Sequence, residues 1–144
     1  FGMAMGPFAV MDMSGIDIGY LMRKSLSPDQ YHPQAFQVHD QLVEMGRKGR
    51  KTGAGFYNYE EGSNQKSDDP EVLELIHKTA ERLGYRPSSV SDEEIIEACL
   101  TALEDEGKAI LNEGIAQRKS DIDVVFINGY GFPRHKGGPM FRSS

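Results

Sequence analysis

Two segments in the second half of the chain place apolar side chains at the spacing of a helix. The first follows Asp69 and Pro70, which suit an N-cap and a first helical turn, and it ends at Gly84. The second follows Ser91 and Glu94, which have the spacing of a capping box. Its apolar stripe comprises Ile95, Ile96, Cys99, Leu103, Ile110 and Leu111. Both patterns predict amphipathic helices, the second of them long.

Two positions inside the long helix lead to more specific expectations. Cys99 lies in the apolar stripe, where a buried thiol acts as a small apolar filler. Because it is the single cysteine, it cannot form an internal disulfide, which fits a reducing compartment. Gly107 costs the helix about 1 kcal/mol relative to alanine, so we expect another backbone to pass close to it.

The first third of the chain predicts shorter helices. Pro7 suits the first turn of one helix, and Ser14 and Asp17 have capping-box spacing for the next. A third helix is predicted from about Pro33 to Met45, because its apolar positions are roughly helically spaced. Gly46 can close that helix in a left-handed conformation.

The stretch from Ser120 to Gly129 is compatible with two kinds of element. Its segment Val124 to Ile127 favours a strand by propensity, whereas Ser120 and Asp123 have capping-box spacing and Gly129 can stop a helix. We predict a helix. Alternation with a period of two residues is confined to the short GFYNY, so the predicted fold class is all-α.

Length and charge narrow the functional classes. The 144 residues suit one core, and their net charge of −6 argues against a nucleic-acid partner, because such proteins neutralise phosphates with surplus Lys and Arg. No apolar run reaches the length of a membrane span, so none is predicted.

The sequence opens at Phe1 without an initiator methionine and stops soon after Pro139, which normally opens a helix. We therefore expect a piece of a longer polypeptide.

A basic, glycine-rich stretch, RKGRKTGAGFYNY from Arg47 to Tyr59, is the first candidate for binding chemistry. A phosphate-binding P-loop ends in Gly-Lys-Ser/Thr and opens a helix, whereas here Lys51 and Thr52 precede Gly53. The favoured interpretation is a turn that reverses the chain and pins its aromatic side chains against the core. The alternative, attraction of an anionic ligand such as CoA or a nucleotide by the four cations, stays open.

The other chemical groups predict no catalytic residue and no metal site. GYGFPR, from Gly129 to Arg134, lacks the third glycine of a dinucleotide fingerprint and follows no strand signal. The four histidines lack cysteines or carboxylates at zinc-ligand spacing. No Gly-x-Ser-x-Gly elbow occurs, and His135 has no fixed carboxylate partner. Asp12 and Asp17 are interpreted as groups that form hydrogen bonds at helix ends.

Two segments of the chain resemble each other. FGMAMGPF at the start and YGFPRHKGGPMF near the end share an aromatic-Gly pair and a Gly-Pro followed by large apolar residues. The second copy has three extra residues between the two features. This similarity predicts two copies of one helical unit.

The chain resembles the C-terminal helical region of L-3-hydroxyacyl-CoA dehydrogenases, above all the duplicated form in multifunctional fatty-acid oxidation enzymes that add enoyl-CoA hydratase activity. Four ordered segments carry the resemblance: Met5–Asp17 (MGPFAVMDMSGID), the basic stretch, Glu93–Ala116 (EEIIEACLTALEDEGKAILNEGIA) and Ser120–Phe141 (SDIDVVFINGYGFPRHKGGPMF). Together they cover nearly the whole chain. The implied fold is the all-α 3-hydroxyacyl-CoA dehydrogenase C-terminal domain, a 6-phosphogluconate dehydrogenase C-terminal-like helical repeat.

The resemblance implies that NAD and a catalytic His-Glu pair belong to a preceding Rossmann domain, which this chain lacks. The chain alone would then have no dehydrogenase activity. In the full-length enzyme it would meet an acyl-CoA substrate and its own NAD-binding and hydratase domains, and a homodimer is a further expected partner. The implied location is the bacterial cytoplasm, with the peroxisome as the alternative.

The resemblance also implies a substrate-binding segment. The family's PMGPF segment lines the acyl side of the substrate cleft, and its counterparts here are Met5, Gly6, Pro7 and Phe8. Ala4 replaces the first proline. A thioether and a phenyl ring are suitable walls for an acyl chain. The alternative is that Met5 and Phe8 are ordinary core residues.

The predicted organisation has three parts. Residues 1–62 are the end of a first repeat, residues 63–69 a polar linker, and residues 70–144 a truncated second repeat. Asp105-Glu106 stands where the family's second repeat often has Asn-Glu, so we interpret that repeat as scaffold. The rival hypothesis for the whole chain is a helical dimerisation module without substrate contact.

Overall fold

The computed structural model of the chain describes residues 1–60, 65–86 and 89–142. Seven α-helices dominate this part: α1 Pro7–Ser14, α2 Ile16–Lys24, α3 Gln37–Glu44, α4 Pro70–Arg82, α5 Asp92–Asn112, α6 Lys119–Gly129 and α7 Pro139–Arg142. Two short strands, β1 Asn58–Tyr59 and β2 Lys66–Ser67, pair antiparallel with Asn58 opposite Ser67. The all-α prediction is confirmed.

The chain forms two compact units. One is Met5–Pro87, and the other joins Phe1–Ala4 to Ser88–Ser144. Helix α4 belongs to the first of these units, and Lys66–Ser67 of the predicted linker pair with β1. Residues 63 and 64 of that linker lie outside the described residues. The boundaries of the predicted repeats stay a prediction, because a compact unit and a sequence repeat need not begin and end at the same residues.

The unit Met5–Pro87 has a core formed by α2, α3, α4 and the loop before β1. Its buried members are Ile16, Leu42, Phe56 and Val72. The predicted helix ends are confirmed at α4, where the Asp69 carboxylate accepts a 2.9 Å hydrogen bond from the Glu71 N–H and Gly84 has φ +76°. The third helix begins later than predicted, because Pro33–Phe36 forms a 3₁₀ turn and α geometry starts at Gln37.

The predicted capping box at Ser14 and Asp17 is wrong. Gly15 separates α1 from α2 with φ +99°, which leaves Ser14 as the last residue of α1. The Ser14 hydroxyl therefore donates back to the Val10 carbonyl at 3.0 Å. Asp17 instead accepts a 2.7 Å hydrogen bond from the Lys51 ammonium.

In the second unit, α7 packs against both α5 and α6. The capping box at the start of α5 is confirmed, because Ser91 and Glu94 exchange hydrogen bonds at 2.8 and 3.2 Å. The predicted helix at α6 is also confirmed, but its capping box is wrong. Arg118 is the N-cap and makes no side-chain capping bond, and Asp123 is a buried acceptor for another segment.

Two predictions about α5 are wrong. Cys99 is exposed, because the buried face of the helix runs through Leu100 and Gly107 and leaves Cys99 beside it. The neighbour of Gly107 is a side chain rather than a backbone. A Cβ atom at Gly107 would lie 2.2 Å from the Met140 sulfur.

Candidate functional site

The predicted acyl-side segment forms the start of α1. Gly6 is the N-cap and Pro7 the first helical residue. The flanking side chains lie at the surface, with Met5 38% and Phe8 46% exposed. Gly6 has φ −81°, which any residue can adopt, and no described atom lies within 4 Å of a Cβ built there. Local folding therefore does not require glycine at this position.

A row of aromatic rings leads from Phe8 into the core. The Phe8 ring centre lies 4.5 Å from that of Phe56, which is buried. Phe56 in turn lies 5.0 Å from the His39 ring, and His39 lies 5.4 Å from Phe36. The Arg23 guanidinium covers the Phe36 ring at 4.3 Å. Phe8 is thus the exposed end of an anchored row.

His39 contributes to this row as a neutral ring. Neither of its buried nitrogens has a hydrogen-bond partner within the described ranges. Burial lowers the pKa of His39, and the positive charge of Arg23 lowers it further, while Asp40 has the opposite effect. The imidazole therefore packs as an uncharged aromatic group at neutral pH.

The basic stretch folds around the carboxylate of Asp12, which is only 1% exposed. The backbone N–H groups of Phe56 and Tyr57 donate to it at 2.9 and 3.0 Å. The Tyr59 hydroxyl adds a third bond at 2.9 Å. Gly55 lets the loop come this close, since a Cβ there would lie 2.0 Å from an Asp12 carboxylate oxygen. Asp12 thereby fixes the backbone of Phe56, which supports Phe8.

This arrangement corrects the interpretation of Asp12 as a group that binds a helix end. Asp12 lies within α1 and bonds a distant loop. Burial, followed by the hydrogen bond to Asp12, raises the pKa of Tyr59. Two features of the sequence could have predicted this contact. Asp12 is an acidic residue in the otherwise apolar start of the chain, and the glycines of GAGF allow a backbone to come close to it.

Two cations of the basic stretch are engaged by neighbouring groups, because Lys51 pairs with Asp17 of α2 and Arg47 has partners on both sides of the loop. Arg47 donates to the Gly55 carbonyl at 2.9 Å and forms a 2.8 Å ion pair with Asp69. The Glu71 N–H, then Asn58 and Arg47, hold the pKa of Asp69 below its usual value. The turn interpretation is confirmed, and anion binding stays a prediction.

The described residues do not fit a dinucleotide or a metal. A dinucleotide site needs a glycine-rich turn between a parallel strand and a helix, whereas β1 and β2 form an antiparallel pair and Gly129 ends a helix. Throughout the described ranges, no group of three or more His, Cys, Asp or Glu side chains could hold a metal ion. None of the helices described is long and apolar enough to cross a membrane.

Residues 1–59 match the family model described as 3-hydroxyacyl-CoA dehydrogenase, C-terminal domain. A peroxisomal bifunctional enzyme of Danio rerio is 41% identical over 157 residues, which include the whole chain and 22% of the relative. The resemblance to the C-terminal region of 3-hydroxyacyl-CoA dehydrogenases is confirmed, by the family model over residues 1–59 and by this relative over the whole chain. The fatty acid oxidation complex subunit alpha of Vibrio cholerae is 38% identical over 144 residues, 97% of the chain and 19% of the relative.

A solved structure has a similar fold. The dehydrogenase part of multifunctional enzyme 1 from C. elegans superposes with a TM-score of 0.64 and 30% identity, over 94% of the chain and 30% of that structure. The chain spans about a fifth of the length of the curated relatives it matches. These relatives include peroxisomal and bacterial proteins, so the cytoplasm and the peroxisome both stay predictions for this chain.

Proposed function

We propose that this chain forms part of the acyl-CoA cleft of an NAD-dependent 3-hydroxyacyl-CoA dehydrogenase of fatty-acid β-oxidation. The observation that carries the proposal is the exposed apolar start of α1, where Met5 and Phe8 flank a glycine that the local fold does not require. NAD and the reacting groups would come from other domains. The chain alone is therefore expected to be inactive as a dehydrogenase.

The segment has the physical properties of a wall for an acyl chain. Methionine adapts its flexible thioether to an irregular apolar neighbour, and a phenyl ring offers a flat apolar face. The ring of Phe8 is held in place from behind by Phe56, which is fixed through its N–H to Asp12. The absence of a side chain at Gly6 leaves room between the two walls for a ligand.

The test compares two methionines of the full-length dehydrogenase. Met5→Ala should raise KM for a long-chain 3-hydroxyacyl-CoA by about 5-fold or more, because several methylene contacts are lost. The effect should be smaller for a short-chain substrate, and kcat should change little. Phe8→Leu should act in the same direction.

Met13→Ala is the matched control, because Met13 is also an exposed methionine, but it lies near the end of α1, whereas Met5 precedes its start. It should leave KM unchanged for both substrates. Equal changes of KM in Met5→Ala and Met13→Ala, or a change that does not depend on the length of the acyl chain, would contradict the proposed acyl wall.

A second candidate function is an association surface on α2. Ile18, Leu21 and Met22 lie at helical spacing and are exposed, with Leu21 at 64%. Light scattering of the chain over a concentration series tests this function. Leu21→Glu should abolish any dimer, whereas a chain that stays monomeric at high concentration excludes self-association.

A further inference from the structure

The two aromatic-Gly pairs of the chain have different partners. Tyr130, which directly follows α6, packs on Phe126 of that helix with ring centres 5.2 Å apart. Phe1, its counterpart in the first copy, packs edge to face on Phe132 of the second copy at 5.1 Å. Phe1–Ala4 accordingly belong to the same compact unit as α5, α6 and α7. The first copy thus begins with a short strap, Phe1–Ala4, that lies on the second copy.

The surface beneath this strap is well fixed. Phe132 is 2% exposed, and its N–H donates to the Phe126 carbonyl at 3.1 Å. Arg134–Lys136 form a 3₁₀ turn, which Gly137 closes with φ +78°. We call residues 132–137 the platform. A buried ring and a closed turn give the strap a defined surface to pack on.

Two residues of the strap contact the platform. The Phe1 ring packs on Phe132, and the Lys136 ammonium lies 4.7 Å from the centre of the same ring. Gly2 has φ +113°, and a Cβ atom built there would lie 3.2 Å from the Pro133 side chain. The backbone at Gly2 therefore needs glycine for its conformation and lies close against the platform.

The strap leads directly to the proposed acyl wall. Met5 lies four residues after Phe1 and two before Pro7, the first residue of α1. Since four residues span at most about 14 Å, an anchor at Phe1 limits the positions that Met5 can take. We infer that Phe1 and Phe132 are positioning residues for Met5. The second copy, which the sequence indicated to be scaffold, thereby shapes the acyl wall. This inference rests on the proposed function.

Anchoring of this kind affects binding because a mobile wall must be ordered when an acyl chain binds. Met5 is 38% exposed and carries a flexible thioether, so its own side chain does little to fix it. Helix α1 fixes the chain after Met5, and the strap fixes the chain before it. A loosened strap should therefore weaken the binding of an acyl chain and leave the chemical step unchanged.

Kinetics of the full-length dehydrogenase test the inference. Phe1→Ala should raise KM for a long-chain 3-hydroxyacyl-CoA by at least about 3-fold, with a smaller effect for a short-chain substrate and an unchanged kcat. Phe132→Leu, which removes the ring of the platform, should act in the same direction. Phe1→Tyr keeps the ring and should keep KM. Tyr130→Ala is the matched control, because Tyr130 is the exposed aromatic residue at the corresponding position of the second copy. It should leave KM unchanged.

A double variant separates positioning from direct contact with the substrate. If Phe1 acts through Met5, Phe1→Ala should raise KM by less than about 1.5-fold when Met5 is already alanine. Effects of the two changes that multiply would make Phe1 a wall residue itself and overturn its positioning role. A normal KM in Phe1→Ala beside a raised KM in Met5→Ala would overturn the inference and leave the proposed function standing. A normal KM in Met5→Ala would contradict both.

Discussion

The Tyr59 hydroxyl donates a 2.9 Å hydrogen bond to the carboxylate of Asp12, which lies 47 residues earlier in the chain. The N–H groups of Phe56 and Tyr57 bind the same carboxylate. One acidic side chain of α1 thus determines the path of the loop that precedes β1. Since Phe56 supports Phe8, the geometry of the proposed acyl wall depends on this contact.

Replacement of Asp12 should strongly destabilise the unit Met5–Pro87. In Asp12→Asn the side-chain amide can no longer accept all three hydrogen bonds, and a buried N–H loses its partner. We expect the free energy of unfolding to fall by about 2–4 kcal/mol, measured by urea denaturation. Glu74→Gln is the control, because Glu74 pairs with Lys78 on an exposed face of α4. Equal losses in the two variants would rule out the anchoring role of Asp12.

Removal of the Tyr59 hydroxyl should have a smaller effect with a distinctive pH dependence. Tyr59→Phe should cost about 1 kcal/mol at neutral pH for the lost hydrogen bond. The raised pKa of Tyr59 means that above about pH 10 the unfolded chain loses this proton while the folded chain keeps it. Stability should therefore fall as the pH rises beyond 10, and Tyr59→Phe should reduce that fall. Identical alkaline slopes for both proteins would contradict the contact.

The sequence allows the helices of this chain to be predicted better than its long-range polar contacts. Local signals suffice for α4 and α5, because an N-cap carboxylate and a capping box act on neighbouring residues. Capping-box spacing fails at Asp17 and Asp123, because each carboxylate is engaged elsewhere, by Lys51 and by the start of α7 respectively. Which partner binds a carboxylate depends on the folded chain, so it cannot be predicted from the spacing of residues in the sequence.

The candidate site shows the same division. The segment Met5–Phe8 could be nominated from its resemblance to a family, and Pro7 correctly marks the start of a helix. The supporting row through Phe56 and His39 could not be predicted, because it joins distant parts of the chain. Cys99 was predicted to be buried but is exposed. The apolar stripe of α5 is broad, and the sequence does not show which of its two edges faces the core.

Addition of a methyl group at Gly107 should destabilise the second unit. Alanine gains about 1 kcal/mol of helix propensity, but its Cβ would lie 2.2 Å from the Met140 sulfur. Overpacking of this kind should outweigh the gain and leave a net loss of about 1–2 kcal/mol. Gly129→Ala is the control, since nothing lies within 4 Å of its Cβ position. In a double-mutant cycle, Gly107→Ala should cost less when Met140 is already alanine.

Protonation of His39 should destabilise the unit Met5–Pro87 below neutral pH. The pKa of His39 is lowered in the folded chain, so in mild acid the unfolded chain binds a proton that the folded chain resists. Stability should therefore be complete above about pH 6.5 and decrease as the pH falls below it. His39→Leu keeps an apolar group between Phe36 and Phe56 and should flatten the stability profile between about pH 5 and 7. His77→Gln, at an exposed position of α4, should leave the profile unchanged, and a similar flattening in both variants would show that His39 is not the group responsible.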